Sequence, residues 1–373
     1  ALQAKKYPDI DMPTAITQIA GRQVAAEKIP SWREIEEIWY PKHLSLEQCS
    51  SEITARYKAR LSQGDSLTDL TGGFGIDCSF LATGFKSATY VERQEELCEI
   101  AAHNFPILNL NHINVRNEDG VAYLQTMSPV DCIFLDPARR NEHGGKTVSI
   151  ADCEPNVAEL EDLLLSKASR IMIKLSPMLD LSLALKELKH TQEVHILSVN
   201  NECKELLILL GQTSPAEITI HCVNLFTKGT QEEQHFVFTR EQEQRSQCTY
   251  TDSLGDYLYE PNASLLKAGA FRSIAAAYPI RKLHPNSHLY TSDSFIENFP
   301  GRIFRIVNQC SFNKKEVKEN LADLKKANVT VRNFPATVAE LRKRLHLTEG
   351  GDTYLFASTL NNGQKVIIRC EKV

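Results

Sequence analysis

The sequence lacks a long apolar run. No stretch reaches the ~18–20 consecutive apolar residues that a bilayer-spanning helix needs, so we expect no membrane span. The first residues, from Ala1 to Pro8, contain no apolar segment, so no secretory signal is expected. Together these absences predict a cytoplasmic protein without a membrane partner.

Clustered cysteines are also missing. None of the ten cysteines lies within four residues of another, whereas zinc knuckles and secreted disulfide scaffolds need short spacings. The metalloprotease pattern H-E-x-x-H is absent as well. His284 and His288 are four residues apart, but Pro285 between them disfavours the helix that would bring them together. We therefore expect reduced, free cysteines and no bound metal.

The net charge of −5 is unevenly distributed. Residues 301–373 contain fourteen Lys/Arg and seven Asp/Glu, a surplus of seven positive charges, so the remainder carries −12. A basic C-terminal module beside an acidic body favours a polyanionic partner for that module.

A chain of 373 residues is longer than a domain with a single hydrophobic core usually is. We divide it into a helical N-terminal lead (1–44), an α/β domain (45–240), a small α+β segment of ferredoxin-like type (248–300) and a C-terminal module (301–373). The spacing of apolar residues predicts a helix over Ser31–Tyr40. Ser45-Leu46-Glu47-Gln48 is typical of a capping box that opens a helix to about Leu61. Polar Glu241–Gln247 is interpreted as a linker.

Short apolar strands alternate with helices from Ser66 to Val199. This pattern predicts an α/β fold with a Rossmann-like, seven-stranded, mostly parallel sheet covered on both faces. Ile218–Leu225 and His235–Thr239 follow without a crossover helix, so we expect them to form an antiparallel edge.

The strongest motif is Asp69-Leu70-Thr71-Gly72-Gly73-Phe74-Gly75, where a strand ends in an acid and turns through three glycines. Ligands of open α/β sheets bind at the carboxyl ends of strands, and glycine permits close approach and positive φ. The dinucleotide pattern is incomplete because Cys78 occupies its third glycine position, and no P-loop lysine follows. A carboxylate at Asp69 would repel phosphate and suits a cation such as the α-ammonium of a methionine moiety.

Further acids follow the next strands. Glu92 ends the second strand, where an acid can accept bonds from ribose hydroxyls. Asp119 follows the third strand and suits the exocyclic amine of adenine, and Asp136-Pro137 ends the fourth. Each piece alone is often a plain turn or helix cap. The glycine turn and three strand-end acids in this order, at the spacing of βαβ units, are far more specific for a ligand site.

This order of motifs resembles the class I S-adenosylmethionine-dependent methyltransferases over about residues 45–240. Arg332-Asn333-Phe334-Pro335 and Gly350–Phe356 are similar to the tail of bacterial methyltransferases with a THUMP-like C-terminal domain, which makes residues 301–373 a THUMP-like module. A more distant likeness is to the trimethylguanosine synthase group, which shares a helix start like Ser50-Ser51-Glu52 before the glycine strand.

The resemblance implies S-adenosylmethionine as cofactor and RNA as partner. It assigns the cofactor site to Asp69, Thr71, Gly72, Gly73, Gly75, Glu92, Arg93 and Asp119. Asp136 would lie beside the transferring methyl group, with Pro137 and Arg139 in the catalytic set. Arg140, Ser51 and Glu52 are candidates for substrate contact. Arg139 and Arg140 are equally suited to ion pairs with Asp119 or Asp152.

One departure bears on the acceptor. Methyltransferases acting on exocyclic base amines usually place an aromatic residue after Asp-Pro-Pro, to stack on the flipped base, whereas this chain has Ala138 and Arg139. The uracil-5 methyltransferases are somewhat more similar there, but they need a cysteine nucleophile after the fifth strand, and none occurs near Lys174–Pro177. Transfer to a nitrogen or oxygen is therefore preferred to carbon.

Our first hypothesis is methyl transfer to a nitrogen of RNA, either tRNA or rRNA. Two alternatives stay open. One is a non-catalytic nucleic-acid-binding protein on a methyltransferase scaffold. The other is a methyltransferase for a small molecule or a protein. The sequence does not fix the oligomeric state.

Overall fold

A computed structural model describes residues 11–139 and 149–373. The chain divides into two compact units. The first contains the described residues up to His195 together with Lys204–Ile218, and the second contains Ile196–Cys203 and Thr219–Val373. Among the described residues, no helix has the length and apolar character needed to cross a membrane.

The first unit alternates helices and strands as expected. Its helices are α1 (Met12–Lys28), α2 (Pro30–Arg33), α3 (His43–Gln48), α4 (Glu52–Ala59), α5 (Ile76–Ala82), α6 (Glu95–Ile107), α7 (Gly120–Thr126), α8 (Val157–Lys167) and α9 (Leu181–Glu187), with a 3₁₀ turn at Ile150–Asp152. Its strands are β1 (Gly64–Asp69), β2 (Phe85–Glu92), β3 (Ile113–Asn117), β4 (Val130–Leu135), β5 (Ala138–Arg139), β6 (Cys153–Glu154), β7 (Ala168–Leu175), β8 (Thr191–Val199) and β9 (Glu202–Gly211). Strand β8 continues into the second unit.

Seven of these strands form a sheet in the order β8-β9-β7-β4-β1-β2-β3. Strands β7, β4, β1, β2 and β3 run parallel to one another, whereas β9 is antiparallel to β7. The chain moves outward from β1 to β3 and then returns to β4 on the other side of β1, so the switch point of the topology lies between β1 and β4. The prediction of a mostly parallel, Rossmann-like α/β sheet is confirmed.

Strand β9 was not predicted from the sequence. It holds the antiparallel position next to β7, and Leu206–Leu210 within it are fully or almost fully buried. Asn200 and Asn201 before it have φ of 50° and 67°. Two consecutive residues with positive φ are typical of a type I′ hairpin turn, for which asparagine is favoured.

The N-terminal lead supports the glycine turn, although its second predicted helix is mostly wrong. The helix expected over Ser31–Tyr40 ends at Arg33. Ile38 and Tyr40 are nevertheless buried in a cluster with Trp32 and Phe74, and the rings of Trp32 and Phe74 meet edge to face at 5.3 Å. Burial of large apolar side chains here outweighs the helical periodicity.

The helix expected from Ser45 to Leu61 is two helices, α3 and α4. Ser45 lies inside α3 rather than at its start, so the capping box is also wrong. The chain is extended at Cys49, with φ −68° and ψ 160°. This break brings Ser50 to α5, where its hydroxyl donates to Asp77 Oδ2 over 2.7 Å.

The second unit contains an antiparallel pair and a separate seven-stranded sheet of order β13-β14-β12-β15-β18-β17-β16. Its strands are β10 (Thr219–Leu225), β11 (Glu233–Thr239), β12 (Tyr257–Pro261), β13 (Arg281–Lys282), β14 (Tyr290–Ser292), β15 (Gly301–Ser311), β16 (Asn328–Val331), β17 (Thr353–Thr359) and β18 (Lys365–Lys372). Its helices are α10 (Arg240–Arg245), α11 (Ala263–Ala268), α12 (Ser273–Ala277), α13 (Lys314–Leu321) and α14 (Val338–Leu345). The antiparallel pair β10–β11 agrees with the sequence prediction.

The polar linker expected over Glu241–Gln247 is mostly helix α10. A capping box between Thr239 and Gln242 starts this helix. The carboxylate of Glu243 accepts hydrogen bonds from the backbone amides of residues 271–273, over 2.8–3.1 Å. Polar composition here reflects helix capping and loop anchoring rather than a flexible connection.

Candidate active site

A cavity of about 990 Å³ opens at the carboxyl ends of the parallel strands in the first unit. Most of the residues predicted for the site line it, which is the placement that converging strand ends dictate. These residues are Asp69, Thr71, Gly72, Gly73, Gly75, Glu92, Arg93, Asp119, Asp136 and Pro137. Most of the site residues predicted from the sequence therefore lie in one cavity.

The glycine turn is shaped by two local requirements. Gly72 packs against Tyr90, and a Cβ at this position would lie 2.3 Å from the ring. Gly73 has φ +55°, and a Cβ there would meet only the carbonyl oxygen of Thr71, at 3.8 Å. The Tyr90 hydroxyl donates to the Gly73 carbonyl. Tyr90 thus holds the glycine turn in place, while the backbone of the turn borders the cavity.

Asp69 ends β1 with a carboxylate that is 1% exposed. Its Oδ1 accepts a 2.9 Å hydrogen bond from the Thr71 amide, whereas Oδ2 has no hydrogen-bond partner among the described residues. Desolvation raises the pKa of Asp69 to about 8, and the nearby carboxylates add to the rise. A buried acceptor without a partner is costly, so Oδ2 suits a ligand that brings a cationic donor.

Glu92 ends β2 and is 9% exposed. Its Oε2 accepts from the Gly73 amide and its Oε1 from the Gln94 amide, both over 2.9 Å. Each carboxylate oxygen can accept a second bond. Glu92 therefore braces the glycine turn and still offers acceptor capacity to the cavity.

Asp119 and Arg93 line the same cavity with existing partners. Asp119 is exposed and caps α7, since its Oδ1 accepts from the amides of Val121 and Ala122 over 3.0 Å. Asp119 is therefore a helix cap, as the sequence allowed. Within the described part of the chain, its side chain accepts hydrogen bonds through Oδ1 alone. Arg93 faces Glu154, with Nη1 and Oε1 3.3 Å apart.

Asp136 follows β4 at the switch point. Its backbone amide donates to the Thr71 hydroxyl over 2.6 Å, which connects the fourth strand to the glycine turn. Its Oδ2 lies 2.5 Å from Lys174 Nζ, at the end of β7. Desolvation raises the pKa of Asp136, while the Lys174 charge opposes the rise. The predicted catalytic carboxylate is therefore partly exposed and paired with a lysine that is buried.

This pair belongs to a chain of ion pairs, called here the ionic ladder, that joins Asp136 to Lys174, Asp77, Lys58 and Glu205. It was not predicted from the sequence. Lys174 Nζ also lies 3.5 Å from Asp77 Oδ2, and Asp77 Oδ1 lies 2.9 Å from Lys58 Nζ. Lys58 is fully buried and reaches Glu205 Oε2 at 2.5 Å. Burial would lower the pKa of Lys174, but Asp136 and Asp77 outweigh it and raise that pKa. A lysine inside the apolar strand Ile171–Leu175 was the available signal, because lone buried charges require partners.

Among the other candidates, Ser51 and Glu52 have partners outside the cavity. Ser51 precedes α4, and its hydroxyl lies 3.2 Å from that of Thr54. The Glu52 carboxylate accepts from the Ser31 amide over 2.8 Å and pairs with Arg56. Neither residue lines the cavity, whereas neighbouring Ser50 does. Arg139 lies in β5, paired with β6, and Arg140 falls outside the described residues.

The second unit carries a group of exposed basic residues, called here the basic face, on α13, α14 and the loop between α13 and β16. Both helices pack apolar side chains, Val317, Leu321 and Leu345 among them, into one cluster with Leu355 of β17. The basic face comprises Lys314, Lys315, Lys318, Lys325, Lys326, Lys343 and Arg344. Across 11–139 and 149–373, none of its six lysines forms an ion pair, and Arg344 lies over the Phe312 ring at 4.1 Å.

Comparisons with known proteins agree with this architecture. The family model of a ferredoxin-like domain matches residues 257–300, and a model described as THUMP domain-like matches residues 301–372. A search of curated proteins found no match to the sequence. A solved structure from Porphyromonas gingivalis, described as that of a methyltransferase, is 37% identical, with a TM-score of 0.89, and the match covers 98% of this chain and 92% of that one.

Two other solved structures share only part of the fold. TrmK of M. capricolum in complex with S-adenosyl-homocysteine is 13% identical, with a TM-score of 0.34, over 43% of this chain and 68% of that one. An rRNA methylase of Streptococcus thermophilus is 13% identical, with a TM-score of 0.32, over 42% of this chain and 94% of that one. At these scores neither supports an argument about function.

The similarity to the Porphyromonas gingivalis protein is much stronger, because it extends over both units at 37% identity. It confirms the family resemblance found in the glycine turn, the strand-end acids and the C-terminal tail. With its class I methyltransferase fold and THUMP-like C-terminal domain, the chain therefore belongs to the methyltransferase family of that protein.

Proposed function

We propose that this protein transfers a methyl group from S-adenosylmethionine to a nitrogen of RNA, either tRNA or rRNA. One observation carries the proposal. Acids from four successive strand ends line a single cavity around a glycine turn, and Asp69 keeps a buried oxygen without a partner among the described residues.

The residues present fit the cofactor. Asp69 Oδ2 would accept from the α-ammonium, because a buried carboxylate oxygen favours a charged donor. Glu92 would accept from the ribose hydroxyls and Asp119 from the adenine amine. Gly73, with open space where a side chain would begin, lets the ligand approach the backbone. Bound S-adenosylmethionine supplies an electrophilic methyl group.

The chain itself mainly orients the acceptor. Asp136 is held at the switch point by its amide bond to Thr71 and by the Lys174 ion pair. Its side chain is 35% exposed, so part of the carboxylate faces the cavity. An acceptor N–H that donates to this carboxylate would have its lone pair aligned for reaction, and such alignment can lower a reaction barrier by ~7–11 kcal/mol.

The basic face supports RNA as the substrate class. Its lysines are exposed and free of ion pairs within the parts of the chain that are described, as expected where ammonium groups replace counterions on a phosphate backbone. The match of residues 301–372 to a THUMP domain-like family adds to this interpretation.

Calorimetry and nucleoside analysis test the two parts separately. Titration with S-adenosylmethionine and S-adenosyl-homocysteine should show saturable binding. Mass spectrometry of nucleosides from cells with and without the protein should show one methylated nucleoside that depends on it. Binding without any RNA product would favour a small-molecule or protein substrate, and RNA binding without cofactor binding would favour the non-catalytic alternative.

A further inference from the structure

The ion pair between Lys174 and Asp136 restricts what Asp136 can do. Lys174 Nζ engages Oδ2 at 2.5 Å, and the only other hydrogen bond of Asp136 among the described residues is made by its backbone amide. Oδ1 is therefore left for a ligand, on a side chain that is 35% exposed at the cavity. An ionised carboxylate accepts hydrogen bonds and donates none.

We propose that Lys174 is a positioning residue that keeps Asp136 ionised and in one orientation, so that the site takes an acceptor nitrogen carrying its own hydrogen. The inference rests on the proposed methyl transfer and deepens it by naming the substrate class. An amine donates its N–H to Oδ1. A ring nitrogen without hydrogen, or a carbon nucleophile, has no donor to offer there.

The surroundings of the pair explain why Lys174 stays charged although its side chain is 9% exposed. Asp77 of α5 lies on its other side at 3.5 Å. Lys58 of α4 compensates Asp77, and Glu205 of β9 compensates Lys58. Asp69 is the other carboxyl whose charge interacts with that of Asp136. Alternating charges of this kind offset the desolvation that buried ions otherwise suffer.

Loss of the ammonium would change the chemistry of Asp136. Burial and the charge of Asp77 both raise the pKa of Asp136, and Lys174 is the main opposing charge. Without Lys174 the carboxyl would hold a proton at higher pH and would donate rather than accept. In the wild type, the acceptor nitrogen bonds to the methyl carbon as the carbon–sulfur bond breaks with its electron pair staying on sulfur. The nitrogen's proton then passes to Asp136 Oδ1.

The test uses the full chain, radiolabelled S-adenosylmethionine and bulk RNA from cells lacking the protein. Lys174→Met removes the charge at similar length, Lys174→Arg keeps it, and Asp136→Asn removes its partner. Lys174→Met should lower the rate of transfer at neutral pH about a hundredfold, as loss of an acid–base contribution does. Its pH profile should move upward, because Asp136 then ionises only at higher pH. Lys174→Arg should restore most of the rate.

A double-mutant cycle separates positioning from a general loss of structure. Asp136→Asn combined with Lys174→Met should be no slower than Asp136→Asn alone, since both changes act through the same pair. The double variant leaves no unpaired charge between the two positions, so it avoids the destabilisation that an unpaired Asp136 would cause in Lys174→Met. Affinity for S-adenosyl-homocysteine should stay within about threefold in every variant, as expected for groups that contribute after cofactor binding.

Carboxyl ¹³C NMR gives a readout that needs no RNA. The Asp136 signal, identified by its loss in Asp136→Asn, should titrate at higher pH in Lys174→Met than in the wild type. Equal titration, a Lys174→Met rate within about threefold of wild type at every pH, or a product methylated on an atom that had no hydrogen would overturn the inference. Absence of S-adenosyl-homocysteine binding would instead contradict the proposed function.

Discussion

The carboxylate of Glu92 accepts a hydrogen bond from the Gly73 amide over 2.9 Å, so the acid at the end of β2 holds the glycine turn that follows β1. One residue thus serves two purposes, because the same carboxylate is proposed to bind ribose. The acid and the turn are nineteen positions apart in sequence and meet only because β1 and β2 are adjacent parallel strands.

Replacing Glu92 by glutamine tests this double role. The amide keeps one acceptor oxygen, so it can bond either Gly73 or Gln94 as the native carboxylate does, but not both. Hydrogen bonds to a charged group are worth ~1.5–3 kcal/mol, so we expect cofactor affinity to fall about ten- to a hundredfold with a small loss of thermal stability. Calorimetry and thermal denaturation measure the two effects. An unchanged affinity would remove Glu92 from the cofactor site.

Substitutions at the two adjacent glycines should have opposite consequences. Gly72→Ala would place a methyl group against the Tyr90 ring, and such overpacking costs about 1–3 kcal/mol of stability. Gly73→Asn should fold well, since asparagine tolerates positive φ, but its side chain would occupy space beside the turn and prevent cofactor binding. Melting temperatures and calorimetric titrations of both variants distinguish these outcomes. A Gly73→Asn protein that binds the cofactor normally would contradict the assignment of the turn.

Asp69 should make the ligand-free protein less stable as pH rises. Its pKa is about 8 in the folded chain, chiefly because burial desolvates the carboxylate, and near 4 when unfolded. Between those values the folded state binds a proton that the unfolded state has released, so stability falls with increasing pH. Asp69→Asn cannot titrate, and its melting temperature should decline less between about pH 5 and pH 8. Parallel curves for the two proteins would show that Asp69 is ionised in the folded state.

The basic face should set the salt dependence of RNA binding. Changing Lys314, Lys318 and Lys343 to alanine removes three exposed ammonium groups. The slope of log affinity against log salt should decrease by about one for each phosphate that the variant no longer neutralises. Lys86→Ala is the control, because Lys86 is also exposed but lies in the first unit and pairs with Asp65. Equal slopes for the triple variant and the control would exclude this face as the RNA-binding surface.

The acids of the site could be predicted because each ends a strand. Periodicity places β1, β2 and β4 in one parallel sheet, and parallel strands present their carboxyl ends at one edge. Asp69, Glu92 and Asp136 therefore reach the same cavity whatever the loops do. Asp119 was equally predictable as a cap and as a ligand, and the structure shows that one oxygen serves the cap.

The ladder of Lys58, Asp77, Lys174 and Glu205 could not be predicted in the same way. Its pairs connect residues that are far apart in sequence, on two helices and two strands, and no local pattern specifies such partners. Likewise, the break between α3 and α4 follows from the contact of Ser50 with Asp77, which outweighs a continuous helical pattern. Tertiary contacts decide both features.

Titration of the purified full chain with S-adenosyl-homocysteine, in parallel with Asp69→Ala, tests the central claim most directly. The account predicts saturable one-site binding to the wild type and a loss of at least about a hundredfold in the variant, as for removal of a buried charged partner. Absence of binding to the wild type, or equal binding by both proteins, would contradict it.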